Sequence, residues 1–364
     1  KAAKRGKKMP AVKLLHQEAG SNSKPEYIMG HSCQAVAILC GACASFFAVP
    51  LAVEIHERLV FSNRERRTLI DKLNILIASL GLSEPFYLIA DAYYACGKIS
   101  RALLRNGDHL ISRVRSNAVA FRVAPVSKRR GRGRPRKYGR KVRLRQLFEH
   151  EDRFTSATSP IERQEDTMLQ YLVADLIWKP VGRVVRFVLI IHPVHGRTIF
   201  MSTDLSLSAL QIIELYSLRF KIELTFKHAI HVIGAYAYHF WMKAMKPLRR
   251  NDGDQYLHKT TEKYRANVRR KMNAYHLHLQ IGAIAQGVLQ CLAATYPDAI
   301  WHSFRSWLRT IRPGIPPSEQ VTALAMSNTL YEFLSDSCEA EIWRRFLVDR
   351  SDPVRARCPR AGTG

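Results

Sequence analysis

Acidic residues are the scarce class in this chain of 364 residues: 30 Asp and Glu stand against 57 Lys and Arg, for a formal net charge of +27. No Asp precedes Asp71, and residues 127–145, "SKRRGRGRPRKYGRKVRLR", carry eleven cations and no acid. Such an imbalance says little about fold but favours a polyanionic partner, nucleic acid first and an anionic membrane surface second. Paired metal-ligand motifs are also lacking. The seven cysteines are scattered, and the lone Cys-x-x-Cys, "CGAC" at 40–43, has no second pair to complete a zinc site. The close pairs His192/His195, His228/His231 and His276/His278 have no cysteines at zinc-finger spacing, so chance explains them. Scattered cysteines suit a reducing cytoplasm. No secretory signal, internal repeat or long low-complexity tract is visible.

Residues 33–53 contain no charge and are long enough to span a bilayer. Gln34, Gly41, Ser45 and Pro50 interrupt the run, however. The expectation is therefore two buried strands joined by a turn at Cys40–Cys43, with no membrane partner. "NRERRTLIDKLNILIASLG" reads as a helix, with Asn63 as N-cap and Gly81 just past its end. "PFYLIADAYY" reads as a strand buried on both faces that ends in Asp91. A helix near 96–106 stops at Gly107, and "HLISRVRS" and "AVAFRV" look like further strands, an α/β pattern. The basic run 127–145, broken by glycines and Pro135, predicts an extended loop. "MLQYLVADLIWKP", "VVRFVLIIHP" and "RTIFMST" predict strands of a separate β-rich unit. Helices are predicted over 206–238, 259–296 and 318–348.

Within "YSLRFKIELTFKHAIHVIG", residues 216–234, Leu215, Leu218, Ile222, Phe226, Ala229 and Ile233 form the apolar stripe of an amphipathic helix. Tyr216, Arg219, Glu223 and Lys227 fall on one adjoining stripe at ~100° per residue. Two readings stand: a solvated face with i,i+4 pairs such as Glu223–Lys227, or a carboxylate holding a metal while its neighbours grip phosphates. Asp91 likewise is either a turn former or a metal ligand. An acid at a strand end and an acid on a helix edging the same core can converge on divalent cations, as two-metal phosphoryl transfer requires.

The stretch "YSLRFKIELTFKHAIHVIGAYAYHFWMK" resembles the C-terminal catalytic motif of bacterial insertion-sequence transposases with an RNase H-like DDE core. That motif runs Tyr, two residues, Arg, three residues, Glu, six residues, Lys. Tyr216, Arg219 and Glu223 match it; Ile230 stands where the motif has Lys, and Lys227 lies one turn earlier on the same stripe. "YLIADAYYACGKISRALLRNGDHLISRVRSNAVAF" is similar to the family's second acidic motif, with Asp91 on its aspartate, and "GRPRKYGRKVRLRQLF" and "RPGIPPSE" also look like stretches of these proteins.

The resemblance implies an α/β fold: an RNase H-like mixed sheet flanked by helices, a β-rich insertion between the second and third acids, and a helical C-terminal region. The expected division is 1–123 for the first part of the core, 124–205 for the basic loop and insertion, 206–240 for the Glu223 helix, and 241–364 for the helical region with its basic tail. By the same resemblance Asp91 and Glu223 are ligands of Mg²⁺ or Mn²⁺, Arg219 is a phosphate clamp, and Tyr216 and Lys227 support the site. The family's first acid has no counterpart here, and the chain begins at Lys1, not Met, which predicts a C-terminal fragment or decayed gene, inactive as it stands.

The expected partners are double-stranded DNA, at transposon ends and target, and a second copy of the chain, in the bacterial cytoplasm with the nucleoid. Arg129, Arg130, Arg132, Arg134, Arg136, Lys137, Arg140 and Lys141 are the candidate DNA contacts. Gly133–Arg134–Pro135 resembles an AT-hook core, but sequence-tolerant phosphate binding is the preferred reading. Trp178 is expected to pack in the inserted sheet, with stacking on a flipped base as its alternative. The other functions kept open are an RNase H-fold nuclease without strand transfer and a non-catalytic DNA-binding relic.

Overall fold

The computed structural model describes residues 2–4, 6–16, 26–42, 45–55, 59–62, 67–125, 136–161, 164, 166–249, 252–307 and 309–337. In chain order the first elements are β1 (Ala2–Lys4), β2 (Lys13–His16), β3 (Tyr27–Ala42), β4 (Ser45–Ile55), β5 (Leu59–Val60), α1 (Leu69–Ser79), β6 (Tyr87–Ala90), α2 (Gly97–Asn106), β7 (His109–Arg113), β8 (Val119–Val123) and β9 (Tyr138–Arg143). They continue with β10 (Thr155–Thr158), β11 (Met168–Trp178), β12 (Arg183–His192), β13 (Gly196–Ser202), α3 (Ala209–Ser217), α4 (Lys221–His228), β14 (Gln255–Tyr256), α5 (Glu262–Thr295), α6 (Pro297–Phe304) and α7 (Glu319–Ser337). The expected mixed α/β architecture with a helical C-terminal region is what these elements form.

The larger sheet has eight strands in the order β6-β7-β13-β12-β11-β8-β9, with β10 beside β11. β6 and β7 run parallel, joined through α2, and every other neighbouring pair is antiparallel. Because side chains alternate along a strand, one face presents Leu110, Phe187, Leu189 and Met201 to α1 and α2. The other presents Ile111, Val188 and Ile190 to α3. The strands expected in a separate β-rich unit therefore continue the sheet that holds β6. Trp178 is buried, 6% exposed, within the first of these cores, which overturns the stacking alternative.

Two local expectations are corrected. The first helix starts at Leu69, not at Asn63, which lies outside the described residues. Thr68 makes the cap: its Oγ1 accepts from the Asp71 N–H, and Asp71 accepts from the Thr68 N–H at 2.9 Å. This capping box satisfies two donors that a helix start otherwise leaves open. Those bonds and Lys98 hold the Asp71 carboxyl down to about 2. The basic run, expected as a loop, instead forms β9 over its second half and a 3₁₀ turn at Leu144–Glu149. Val142 packs inward and Leu144 is fully buried, so apolar anchors between the cations draw that half onto the sheet.

The uncharged run at 33–53 is a hairpin, as expected, pairing Cys33 with Ile55 through to Ala42 with Ser45. Its register slips at Val36/Ala37, and Pro50 sits opposite Ala37. Proline cannot donate to a ladder and belongs at such an irregularity. β4 is an edge strand whose free backbone groups are met by helix side chains. Thr225 Oγ1 donates to the Ala48 carbonyl at 2.7 Å, Gln280 Nε2 to that of Val53 at 2.7 Å, and the Ile55 N–H donates to His276 Nε2 at 3.2 Å. Among the described residues α5 is the one helix long and apolar enough to cross a membrane. Its Met272, Tyr275 and Leu279 are buried in the core that also takes Val53 and Ile55.

Candidate active site

The site forms where the parallel pair β6–β7 ends beneath the helical run that follows β13. Along β6, Leu88 packs toward α1 and α2 and Ile89 toward α3, whereas Tyr87 is exposed. The strand is thus covered on both faces only in its middle, and β6 is a sheet edge among the described residues. Asp91 follows immediately, exposed, on the side that alternation assigns to α3. Its Oδ1 accepts the Tyr93 N–H at 2.9 Å, and its carbonyl accepts from Ser112 Oγ at 2.9 Å and from the Tyr94 N–H at 3.1 Å. Backbone and side chain of Asp91 are both fixed, and its second carboxylate oxygen projects from a rigid strand end.

Opposite lies a helical run that is not one continuous α-helix. Ser208 caps α3 with a capping box to Gln211, a 3₁₀ turn at Leu218–Phe220 joins α3 to α4, and a π turn at Ala229–Ile233 ends at Gly234, φ +69°. The Tyr216–Arg219–Glu223 stripe survives the 3₁₀ turn. The Arg219 guanidinium lies 5.9 Å from the Tyr216 ring centre, and its Nη2 donates to Glu223 Oε1 at 3.0 Å. Glu223 therefore pairs with Arg219 behind it, not with Lys227 ahead of it. Lys227 is exposed one turn on. Ile230, at the motif's Lys position, packs into the hairpin core.

Tyr216 ties the two sides together. Its ring packs on Phe200 of β13, tilted by 33° with centres 4.2 Å apart, and Phe200 is the cross-strand partner of Arg113 at the end of β7. Burial pushes the Tyr216 phenol up; Arg219 and Arg113 pull it back, and Asp91 adds to the rise. One phenol thus feels Asp91, Arg113 and Arg219 together, while Arg219 reaches on to Glu223. Burial raises the Tyr94 phenol too, against the hydrogen bond it accepts from Gln34 of β3 at 3.0 Å, and Asp91 adds to that rise. Sequence reasoning missed Arg113, although β7 alternation places it on the same face as Ile111 and so on the α3 side.

The two carboxylates are hard oxygen donors of the kind that suits Mg²⁺. Among the described residues, no group of three or more His, Cys, Asp or Glu is placed to hold a metal ion. Of the cationic candidates, Arg136, Lys137, Arg140 and Lys141 are exposed on or beside β9, at the sheet edge opposite β6. They are not brought to the acids. Arg129, Arg130, Arg132 and Arg134 lie outside the described residues, as does the Gly-Arg-Pro core.

No curated protein matches the chain. Among solved structures it is similar to a piggyBac transposase in a synaptic complex with hairpin DNA, at 11% identity and a TM-score of 0.33. That match covers 100% of this chain and 58% of the other, so this chain spans little more than half of its length. The family model described as a transposase DDE domain matches residues 25–232, from just before β3 to the end of the Glu223 helical run, and with more than half of its length so matched the chain belongs to that family.

Proposed function

We propose that the chain is the DNA-processing part of a transposase that hydrolyses DNA at transposon ends and joins the freed 3′ hydroxyls to target DNA. The observation that supports this reading is that Arg219 contacts both Tyr216 and Glu223, on a helical run that packs over the β6–β7 end where Asp91 sits, with Asp91 and Arg113 near enough to act on the Tyr216 phenol. Asp91 and Glu223 would hold Mg²⁺ or Mn²⁺; when bound, such ions activate the attacking oxygen and stabilise the leaving one. Were Glu223 to hold a cation, the planar guanidinium of Arg219 would be free to take a phosphate in a bidentate grip. Arg113 offers a second positive group near the same phenol, and the Tyr216 ring packs against the Arg219 guanidinium.

The resemblance implies three carboxylates, and the residues assembled here supply two. The expectation is that this chain binds end DNA as a dimer on paired ends, in the bacterial cytoplasm, and that cutting needs a third acid. The test is a Mg²⁺-dependent nicking and strand-transfer assay on end DNA, using this chain, its Asp91→Asn and Glu223→Gln variants, and a longer chain that supplies a third acid. Joined products from the three-acid chain alone, lost with Asp91→Asn, support the reading. Nicks without joined products point to a nuclease. DNA binding with no cutting by the three-acid chain sinks the catalytic proposal and leaves a binding relic.

A further inference from the structure

The segment after the Glu223 helical run is pinned to the N-terminal segment by two backbone hydrogen bonds. The Met242 N–H donates to the Lys8 carbonyl at 3.0 Å and the Leu248 N–H to the Lys7 carbonyl at 2.9 Å. Across residues 239–243 of this irregular stretch burial alternates as it would in a strand. Phe240, Met242 and Met245 are buried in the hairpin core, whereas Trp241, Lys243 and Lys246 are exposed, Trp241 at 73%. Phe240 packs on Tyr238 at 5.6 Å and on Tyr275 of α5 at 6.0 Å. Residues fixed on both sides of Trp241 therefore hold the largest apolar side chain of the loop out in solvent. An indole ordinarily buries most of its surface on folding, and here the backbone prevents that.

The surroundings are cationic. Lys7 and Lys8 are exposed, and neither residues 1–17 nor 224–251 contain an Asp or Glu. Lysine is depleted at protein–protein interfaces, whereas a fixed aromatic among lysines matches the way single-stranded nucleic acid is held, with bases stacked and phosphates paired. We infer that this surface is a second DNA site, apart from β9, at which Trp241 stacks on an unpaired base while Lys7, Lys8, Lys243 and Lys246 take the flanking phosphates. The inference rests on the DNA reading above. It concerns a different surface, however: Lys7 and Lys8 connect β1 to β2 in the hairpin's sheet, and β9 belongs to the eight-stranded one.

The experiment uses the whole chain with two oligonucleotides, a blunt duplex and the same duplex carrying a 3′ overhang with 2-aminopurine at its second position. The wild type quenches the 2-aminopurine and prefers the overhang. Trp241→Ala abolishes the quenching and weakens overhang binding about tenfold, the scale of one base–aromatic stack. Blunt-duplex affinity stays within about twofold, since stacking on an unpaired base is absent there. Trp241→Phe restores part of the quenching. Replacing Lys243 and Lys246 by Ala lowers the salt slope for the overhang by about 1.4, at roughly 0.7 per phosphate contact. Unchanged quenching with Trp241→Ala, or an equal loss on both oligonucleotides, overturns the inference while leaving the DNA reading intact. Failure of the wild type to bind either oligonucleotide overturns both.

Discussion

His228 of α4 meets Glu319 of α7, Nδ1 to Oε2 at 2.5 Å, with their side chains 19% and 6% exposed. Around the same carboxylate, Gln290 Nε2 donates to Oε1 at 2.8 Å and Gln286 Nε2 at 3.4 Å. The same two amides also reach the carbonyls of Ala48 and Thr225. One buried acid therefore ties the Glu223 helix, α5, α7 and the hairpin strand β4 together. Glu319 is the last residue of "RPGIPPSE", a stretch whose resemblance gave it no role.

Burial by itself pushes the Glu319 carboxyl up, but the His228 contact, a backbone bond and Gln290 outweigh it and leave the group below its usual range. A depressed carboxyl adds stability above its unfolded value, near 4.5, and loses it as pH falls through the folded value. Wild-type stability in urea should therefore decline as pH drops below about 5. Glu319→Gln should be less stable at neutral pH by about 1–3 kcal/mol, the cost of leaving buried polar partners unmet, with a shallower acid decline. Parallel acid limbs for the two proteins would remove Glu319 from this role.

Two glycines of α5 should respond oppositely. A Cβ at Gly282 would lie 2.4 Å from the Ala235 Cβ and 3.1 Å from its Cα, where the chain leaves the π turn. Gly282→Ala should destabilise by about 1–3 kcal/mol through overpacking. At Gly287 the nearest neighbour is Val49 Cγ1 at 3.4 Å, the end of a side chain that can shift slightly. Gly287→Ala should be neutral or stabilise by up to about 1 kcal/mol through helix propensity. Urea melts of both variants decide the matter, and equal effects would contradict this packing.

Legibility followed from how local each cause is. The hairpin at 33–53, the strand ending at Asp91 and the stop at Gly107 were readable because a turn signal or a glycine at φ +85° sits at the boundary itself. The Tyr216–Arg219–Glu223 stripe was readable from helical spacing. Other features depend on contacts distant in sequence. Nothing near residues 138–143 says that they pair with β8. No local pattern joins Arg113 to Phe200, or says that α5 amides will close the edge of β4. The first helix was misplaced because Asn63 and Thr68 are both plausible caps, and only the Thr68–Asp71 reciprocity decides between them.

Arg219 separates an ordinary ion pair from a phosphate clamp. Its bond to Glu223 is half-exposed, so Arg219→Ala should change stability by at most about 1 kcal/mol. As a clamp it should cost far more in function. In a chain that supplies a third acid, Arg219→Ala should lower cleavage about 10²- to 10³-fold, the scale of losing one donor to developing charge. Arg219→Lys should recover only part, because an ammonium cannot make the bidentate contact. A cleavage rate within threefold of wild type in Arg219→Ala would leave the pair merely structural.

The register of β9 makes the DNA prediction specific to single residues. Phe121 of β8 pairs with Lys141 and with Ile177 of β11, and Val119 pairs with Arg143. Val142, between the two cations, faces the α1–α2 core. Lys141 and Arg143 therefore share the sheet face that carries Arg113 and Tyr216. β9 stands six strand steps from β6, roughly 29 Å at ~4.8 Å per step. That span corresponds to about nine base pairs of duplex. On a long duplex, Lys141→Ala and Arg143→Ala should each lower the slope of log affinity against log salt by about 0.9. A duplex of about six base pairs is too short to reach from Asp91 to β9, so both variants should bind it like the wild type. Unchanged slopes with both variants on the long duplex would take β9 out of the path of DNA bound at Asp91 and Glu223.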